Sequence, residues 1–451
     1  MTDSSSENTN KRVDSLRQLL ESGTMQQAGR MLNSLYPSEI ADLLESLPLR
    51  ERKFVWEMVD PDIEGEVLVE LGDEVRDSVI KGMEAEEVLA AVEHLDADDM
   101  ADLILSLPEA VIRETLASMD KQRLQQVEAV LSYPEDTAGG LMELNMVTIR
   151  PNVTVDVVLR YLRRLGELPG HTDRLFVVDR FSRYLGTVPL DKVLTRPDDT
   201  LIIDLIDAKV EPVPVDMPDT DVARLFQDRD LISAPVVDEH ARLLGRITID
   251  DVVDVIVETA DKTVFSSAGL TEDEDIFAPI VRSTRRRSIW LGTNLLTAFL
   301  AAWVIGLFEA TIQQIVALAV LMPIVASMGG IAGTQTLTLV IRAEALGQVG
   351  RSNVRSLLIK ESAIGFLNGL LWALVVAAVA SLWFDDIKIG GVIAAALIIN
   401  LLAAALTGVC LPFILRKLKI DPALAGGVIL TTVTDVIGFM SFLGIATLTL
   451  L

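Results

Sequence analysis

Residues 422–451 carry one ionisable side chain, Asp435, among the hydroxyls of Thr431, Thr432 and Thr434 and the glycines Gly426, Gly427 and Gly438. A carboxylate at the centre of a bilayer costs at least roughly 2.5–3.5 kcal/mol, so something facing it must offset that cost. Two chemistries are open: a protonated carboxyl hydrogen-bonded between helices, or a carboxylate lining an aqueous or ionic path. A second apolar stretch, "GGIAGTQTLT" at 329–338, places Gly330 and its small neighbours beside amide and hydroxyl groups. One carboxylate with hydroxyls and backbone carbonyls is an all-oxygen donor set. The back half holds no His, and its thiol, Cys410, lies in a different apolar stretch. Such a set suits a hard cation such as Mg²⁺, which keeps its waters and needs only one or two carboxylates.

Five uncharged stretches are long enough to span a bilayer, which takes about 20 apolar residues: 288–308, 310–341, 362–384, 389–415 and 422–451. The second is read as one long or interrupted helix, broken around Pro323, Gly329, Gly330 and Gly333. Loop charge sets the orientation. Arg282 and Arg285 to Arg287 precede the first stretch. Arg342, Arg351, Arg355 and Lys360 follow the second, and Arg416, Lys417 and Lys419 follow the fourth. The other side holds only Lys388, beside Glu309, Asp385 and Asp386. The amino-terminal half is therefore expected in the cytoplasm and the carboxy terminus outside. The polar opening "MTDSSSENTNKR" lacks an apolar core, so no cleavable signal peptide is expected.

The charge divides unevenly. From Arg282 onward there are 12 Lys and Arg against 7 Asp and Glu, leaving 27 and 58 of the chain's 39 and 65 before it. So acidic a front half excludes nucleic-acid binding and is compatible with divalent cations, although most of these acids simply solvate a surface. With one cysteine no intrachain disulfide can form. No Walker A motif and no nucleophile–base constellation is present, so neither ATP hydrolysis nor other enzymatic catalysis is expected.

Two repeats organise the front half. "EIADLLESLP" (39–48) returns as "DMADLILSLP" (99–108) within helix-forming residues 1–135, which predicts short stacked helices in a superhelix. Asp98 and Asp102 fall at i, i+4 on one face. "FVVDRFSRYLGTVPLDKVL" (176–194) returns as "PVVDEHARLLGRITIDDVV" (235–253). Each copy reads as strand, Asp turn, strand and helix, with a further strand and amphipathic helix upstream. This resembles a pair of cystathionine-β-synthase (CBS) domains, a module that often binds adenosine nucleotides. The family's Gly-x-x-[Ser/Thr]-x-x-Asp pattern is met by Gly245, Thr248 and Asp251. In the first copy Pro189 and Lys192 replace the Thr and Asp. The resemblance therefore implies at most one site for ATP or another adenosine nucleotide, the alternative being a purely structural pair. A segment from Asp250 past Glu258 connects this pair to the apolar half.

The order of parts, with "EDTAGGLM" (135–142), "GGIAGTQTLTLVIRA" (329–343) and "DPALAGGVILTTVTDVIG" (421–438), resembles the MgtE family of magnesium channels over nearly the whole chain. The expected fold is a multidomain integral membrane protein. Residues 1–135 form an acidic α-helical superhelix, 136–200 and 201–258 the α/β tandem CBS pair, 259–287 a connecting helix and linker, and 288–451 a five-helix transmembrane domain. The resemblance implies a homodimer in the plasma membrane with a pore between subunits. Asp435 would be its ion ligand, with Thr431 and Gly330 beside it. It also implies that intracellular Mg²⁺ bridges acidic domains and closes the channel, through Glu66, Asp98, Asp102, Asp230, Asp251, Asp254 and Asp421. The sequence departs from the family at Ile331, where an Asn is usual, at Gly427-Val428 in place of Asn-Pro, and at Thr259 and Lys262 in place of acids. Conduction is expected to survive these changes, with cytoplasmic closure weakened, shifted to high Mg²⁺ or absent. A proton-coupled carrier and a non-conducting, membrane-tethered nucleotide sensor are the rival readings.

Overall fold

The computed structural model describes residues 12–19, 25–92, 95, 97–107, 109–119, 121–207, 210–270, 274–345, 347–350 and 353–451. The chain divides into two compact units, Met1–Asp261 with Asp273–Ala278, and Lys262–Glu272 with Pro279–Leu451.

The first unit opens with short helices: α1 (Met25–Leu32), α2 (Pro37–Glu45), α3 (Leu49–Trp56), α4 (Glu64–Glu70), α5 (Asp73–Ile80), α6 (Ala85–Val92), α7 (Ala97–Ser106), α8 (Glu109–Ser118) and α9 (Lys121–Leu131). None is long enough to be stable alone in water. Each contributes apolar residues to one continuous core that includes Leu32, Ile40, Leu44, Val67, Leu68, Val88 and Ile104. The repeated sequences coincide with α2 and α7.

Two three-stranded sheets follow. In the first, β1 (Thr148–Ile149) runs parallel to β2 (Arg174–Val178), which pairs antiparallel with β3 (Tyr184–Pro189). In the second, β4 (Val213–Pro214), β5 (Ser233–Val237) and β6 (Leu243–Thr248) repeat that order. The parallel crossovers pass through α10 (Val155–Leu165) and α12 (Asp219–Arg229), while α11 (Leu190–Thr195) follows β3. The recurring Val-Val-Asp sets the turn between the antiparallel strands. Asp179 Oδ1 accepts from the amides of Phe181 and Arg183 at 2.8 and 2.9 Å, and Asp238 Oδ1 from those of His240 and Arg242, both at 2.8 Å. These bonds hold both carboxyls below the usual range. The copies join at these turns, where the Tyr184 amide donates to the Ala241 carbonyl and the Leu243 amide to that of Ser182, each at 2.9 Å. A small apolar cluster of Phe176, Val178 and Leu243 lies beneath.

Helix α13 (Ile249–Ser267) leaves β6 directly. The second unit contains α14 (Ile280–Gly306), α15 (Glu309–Gln314), α16 (Ala317–Ala345), α17 (Val354–Phe384), α18 (Ile387–Lys417) and α19 (Pro422–Leu450). Five of these, all but α15, are long and apolar enough to cross a membrane. Helix α18 is the most enclosed and packs on α16, α17 and α19.

Three boundaries differ from the sequence reading. The interruption in the second stretch falls at Ile315, with φ −130° and ψ 80°, between α15 and α16. Pro323 and the glycines lie inside an unbroken α16. Those glycines serve close approach of neighbouring helices rather than unwinding. Helix α14 begins at Ile280 and α17 at Val354, so Arg282, Arg355 and Lys360 ride on helical turns beyond the apolar windows. Long basic side chains at such ends reach the headgroup level without interrupting the backbone ladder.

Candidate functional site

Helix α16 has two faces. Val325, Gly329, Gly333, Thr336, Leu337 and Val340 are buried. Ser327, Ile331, Thr334, Gln335 and Thr338 are exposed. With Gly330, Thr431 and Asp435 this second face lines an open cavity of about 960 Å³. The cavity brings together three residues singled out by sequence, Gly330, Thr431 and Asp435, from two helices more than ninety positions apart. Ser327, Thr334, Gln335 and Thr338 went unnamed there, although their spacing of three and four residues on an apolar helix marks one polar face.

The Thr334 and Thr431 hydroxyls in the lining donate to carbonyls of their own helices. Thr334 Oγ1 donates to the Gly330 carbonyl at 2.9 Å. Thr431 Oγ1 donates to Gly427 and Val428, both at 3.0 Å. A hydroxyl whose proton is committed to its own helix keeps lone pairs for an outside ligand. Neighbouring Thr434 is fully buried, with its hydroxyl on Leu430 and Thr431. Asp435 is half-buried and borders this cavity, whose wall mixes the hydroxyls and amide with the apolar Ala326, Ile331 and Leu339.

Asn400 of α18 holds the two lining helices in place. It is completely buried, and its Nδ2 donates to the Val325 carbonyl of α16 at 2.8 Å. A Cβ on Gly329 would lie 2.3 Å from that Nδ2, and one on Gly438 of α19 would lie 2.8 Å away. Hence α16, α18 and α19 meet at one amide flanked by two glycines, next to Gly330 and one turn from Asp435. Sequence reasoning missed Asn400, although it is the one amide in the fourth apolar stretch. Of the glycines grouped with Asp435 by sequence, Gly426 and Gly438 are in such contacts, whereas Gly427 faces open space.

The acidic candidates of the first unit fall into separate places. Glu66 and Glu70 are exposed on α4. Partial burial pushes the Glu70 carboxyl up, and repulsion from Asp254, Asp42 and Glu66 adds to it. Asp254 of α13 is likewise pushed up, first by its surroundings and then by Asp250. Glu66 and Asp254 thus belong to one repelling group, to which the structure adds Asp42 and Glu70. Asp251 belongs to another. Its carboxylate and those of Glu143 and Asp250 offer oxygens within 4.8 Å of one another. Arg246 binds Glu143 at 2.7 Å, and His171 Nδ1 lies 2.8 Å from Asp250. Asp230 closes α12 in the left-handed region, at φ 51°. Asp421 caps α19 in the other unit, accepting from the Ala423 amide at 2.8 Å. The side chains of Asp98 and Asp102 lie outside the described residues.

The nucleotide pattern is assembled, but its groups are engaged. Asp251 accepts from the Thr248 amide at 3.0 Å and from its hydroxyl at 3.1 Å, closing the first turn of α13. Thr248 is fully buried. A Cβ on Gly245 would lie 2.6 Å from the Glu143 carbonyl, so the 142–143 backbone fills that side.

The Asn400 contact makes a direct prediction. Gly329→Ala forces the amide away from its seat, at a cost of about 1–3 kcal/mol, as for other overpacked sites. The expected result is a lower thermal midpoint of the full chain in detergent, and an unchanged midpoint would show that the contact does not position the cavity.

Family models match the chain in three parts: MgtE, a divalent cation transporter, over residues 322–445; the MgtE intracellular N domain over 14–136; and the CBS domain over 138–198 and 202–258. The magnesium transporter MgtE of Thermus thermophilus is 30% identical over 441 residues, covering 97% of this chain and 98% of that one. The Bacillus subtilis magnesium transporter MgtE is 28% identical over 430 residues, or 95% of each. A crystal structure of the cytosolic domain of the Mg²⁺ channel MgtE in complex with ATP is 31% identical with a TM-score of 0.50, covering 54% of this chain and 99% of that one. With a relative at that identity aligned from end to end, the chain belongs to the MgtE family of magnesium transporters.

Proposed function

We propose that the protein is a channel for passive Mg²⁺ influx across the plasma membrane, formed by two copies around the polar faces of α16 and α19. The observation that carries this is the open cavity in which Asp435 meets Ser327, Thr334, Gln335, Thr338 and Thr431 on helices of membrane-spanning length. Such a face is costly against lipid. A second copy closing over it turns it into an aqueous path and brings two Asp435 carboxylates to one hydrated cation. Mg²⁺ holds its waters tightly, so a site of one or two carboxylates with outward lone pairs suits it. The excess of Lys and Arg in the loops on one side of the spans supports a cytoplasmic first unit.

In this reading cytoplasmic Mg²⁺ acts on the repelling acids. Bound metal offsets repulsion among Asp42, Glu66, Glu70 and Asp254 and favours the compact arrangement of the first unit, a population shift by differential affinity. With Thr259 and Lys262 on α13 where the family has acids, closure requires more Mg²⁺ than a fully acidic helix would. The ATP complex of the related cytosolic domain supports adenosine-nucleotide binding by the CBS pair, with Gly245, Thr248 and Asp251 as its contacts after side-chain rearrangement.

Two measurements test these statements. In proteoliposomes, Asp435→Ala is expected to lower Mg²⁺ uptake by roughly a hundredfold, the upper end of the loss seen when even a supporting partner of a metal ligand is removed. Wild-type flux surviving the change, or its absence in the wild type, overturns the channel reading. Flux that becomes insensitive to pH in Asp435→Asn favours a proton-coupled carrier. The second test concerns pH. Glu70 and Asp254 have raised carboxyls, so the folded unit binds more protons than the unfolded chain. Their contribution to stability therefore falls as pH rises out of the ordinary carboxylate range. Added Mg²⁺ should raise the thermal midpoint of the cytoplasmic unit more at about pH 7.5 than at about pH 5. Equal increments at both pH values contradict metal binding by these acids.

A further inference from the structure

The helical part of the first unit binds a distant piece of its own chain. Asp275, which follows α13 and precedes α14, is buried against Arg52 of α3, 223 positions away. The guanidinium donates to both carboxylate oxygens, Nη1 to Oδ2 at 2.9 Å and Nη2 to Oδ1 at 3.1 Å. The side chains are 1% and 3% exposed. Arg52 is fixed independently of Asp275. Its Nε donates to the Leu44 carbonyl at 3.0 Å, Nη2 to Leu47 at 3.2 Å and Nη1 to the Ser78 hydroxyl at 3.2 Å. The strap is fixed in turn by Glu74, which accepts from the Asp275 amide at 2.8 Å. Asp275 Oδ1 also accepts from the Phe277 amide at 2.8 Å.

The geometry points to a latch: the helical domain grips residues 274–278, and so holds the chain that leads directly into the first membrane helix. Only four positions separate Asp275 from Pro279, the N-cap of α14. This gives the helical domain a route to the membrane besides α13. It rests on the regulatory reading above. A buried ion pair is weak evidence for added stability, because apolar residues of similar volume hold a fixed contact as well or better. What a charge pair offers instead is clean release, since both partners are soluble once parted. The latch also sits beside the repelling acids. Burial pushes the Glu45 carboxyl of α2 up, opposed by the Gly72 amide and by Arg52, while Asp42 and Asp275 add repulsion, and Asp42 also repels Glu70. Cations that quiet this group therefore favour the docked strap, and their loss favours its release.

Hydrogen exchange on the full chain in lipid nanodiscs tests the latch, with Mg²⁺ added or chelated. In the wild type the amides of Asp275, Phe277 and Ala278 should be protected, more strongly with Mg²⁺, and the first turns of α14 should respond in parallel. Asp275→Asn should speed exchange of the strap roughly tenfold or more, as expected for losing hydrogen bonds to a charged group. It should abolish the Mg²⁺ response at 280–290 while leaving residues 37–80 protected. Ile276→Ala, at an exposed position of the same strap, should change nothing. If Asp275→Asn lowers protection throughout 37–80, Asp275→Glu carries the comparison, with partial strap release expected. Equal strap exchange in wild type and variant overturns the latch. Release of the strap with an unchanged Mg²⁺ response at 280–290 overturns its coupling role. Because no flux is measured, a failed channel reading leaves a different signature: no uptake, with this exchange pattern intact.

Discussion

Asp435 must be solvated within a helix of membrane-spanning length, and the arrangement of α16, α18 and α19 follows from that requirement. A carboxylate left in hydrocarbon would be expelled or protonated. Here it borders a cavity whose hydroxyl protons are tied to their own helices, leaving oxygen lone pairs outward. Keeping that lining open requires the opposite face of α16 to pack tightly. The buried glycines, the amide of Asn400 and the enclosed α18 meet this need. One helix thus carries a packing surface and a chemical surface, separated only by its period of 3.6 residues.

The first unit faces the opposite electrostatic condition. Its acids lie near one another, and at Glu70 and Asp254 partial burial first, then repulsion from neighbouring carboxylates, pushes the carboxyl up. The CBS pair supplies a fixed platform. Its two turns are held by Asp179 and Asp238, and the copies bond through them. Close to the acids, Arg52 and Asp275 form a contact that charge both makes and can undo. In the proposed mechanism, repulsion, platform and latch together would let the compactness of this unit respond to cation concentration.

Much of this was legible in the sequence because it is local or periodic. The two strand repeats and their Asp turns recur at a fixed offset, the five apolar stretches have the right length, and Asp435 stands alone among apolar residues. What the sequence did not reveal depends on three-dimensional meetings. The glycines of the second stretch looked like helix breakers, but Gly329 and Gly333 are sites of close approach, and the break falls at Ile315, where no Gly or Pro marks it. Asn400 shows its role only once Gly329 and Gly438 lie against it. Arg52 and Asp275 share no pattern that spans 223 positions. Among the acids, residue type could not sort Asp251 into a different group from Glu66 and Asp254 or assign Asp230 and Asp421 to helix ends.

The central claim is that the exposed faces of α16 and α19 line a water-filled path for Mg²⁺. Cysteine accessibility tests it most directly. With Cys410 replaced by Ser, single cysteines at Thr334, Thr338 and Thr431 would be treated with a membrane-impermeant thiol reagent, with and without Mg²⁺. The account predicts that all three react from water and that Mg²⁺ slows the reaction, most strongly at Thr431→Cys beside Asp435. Cysteines at these positions that stay unreactive, or react at a rate indifferent to Mg²⁺, would contradict it.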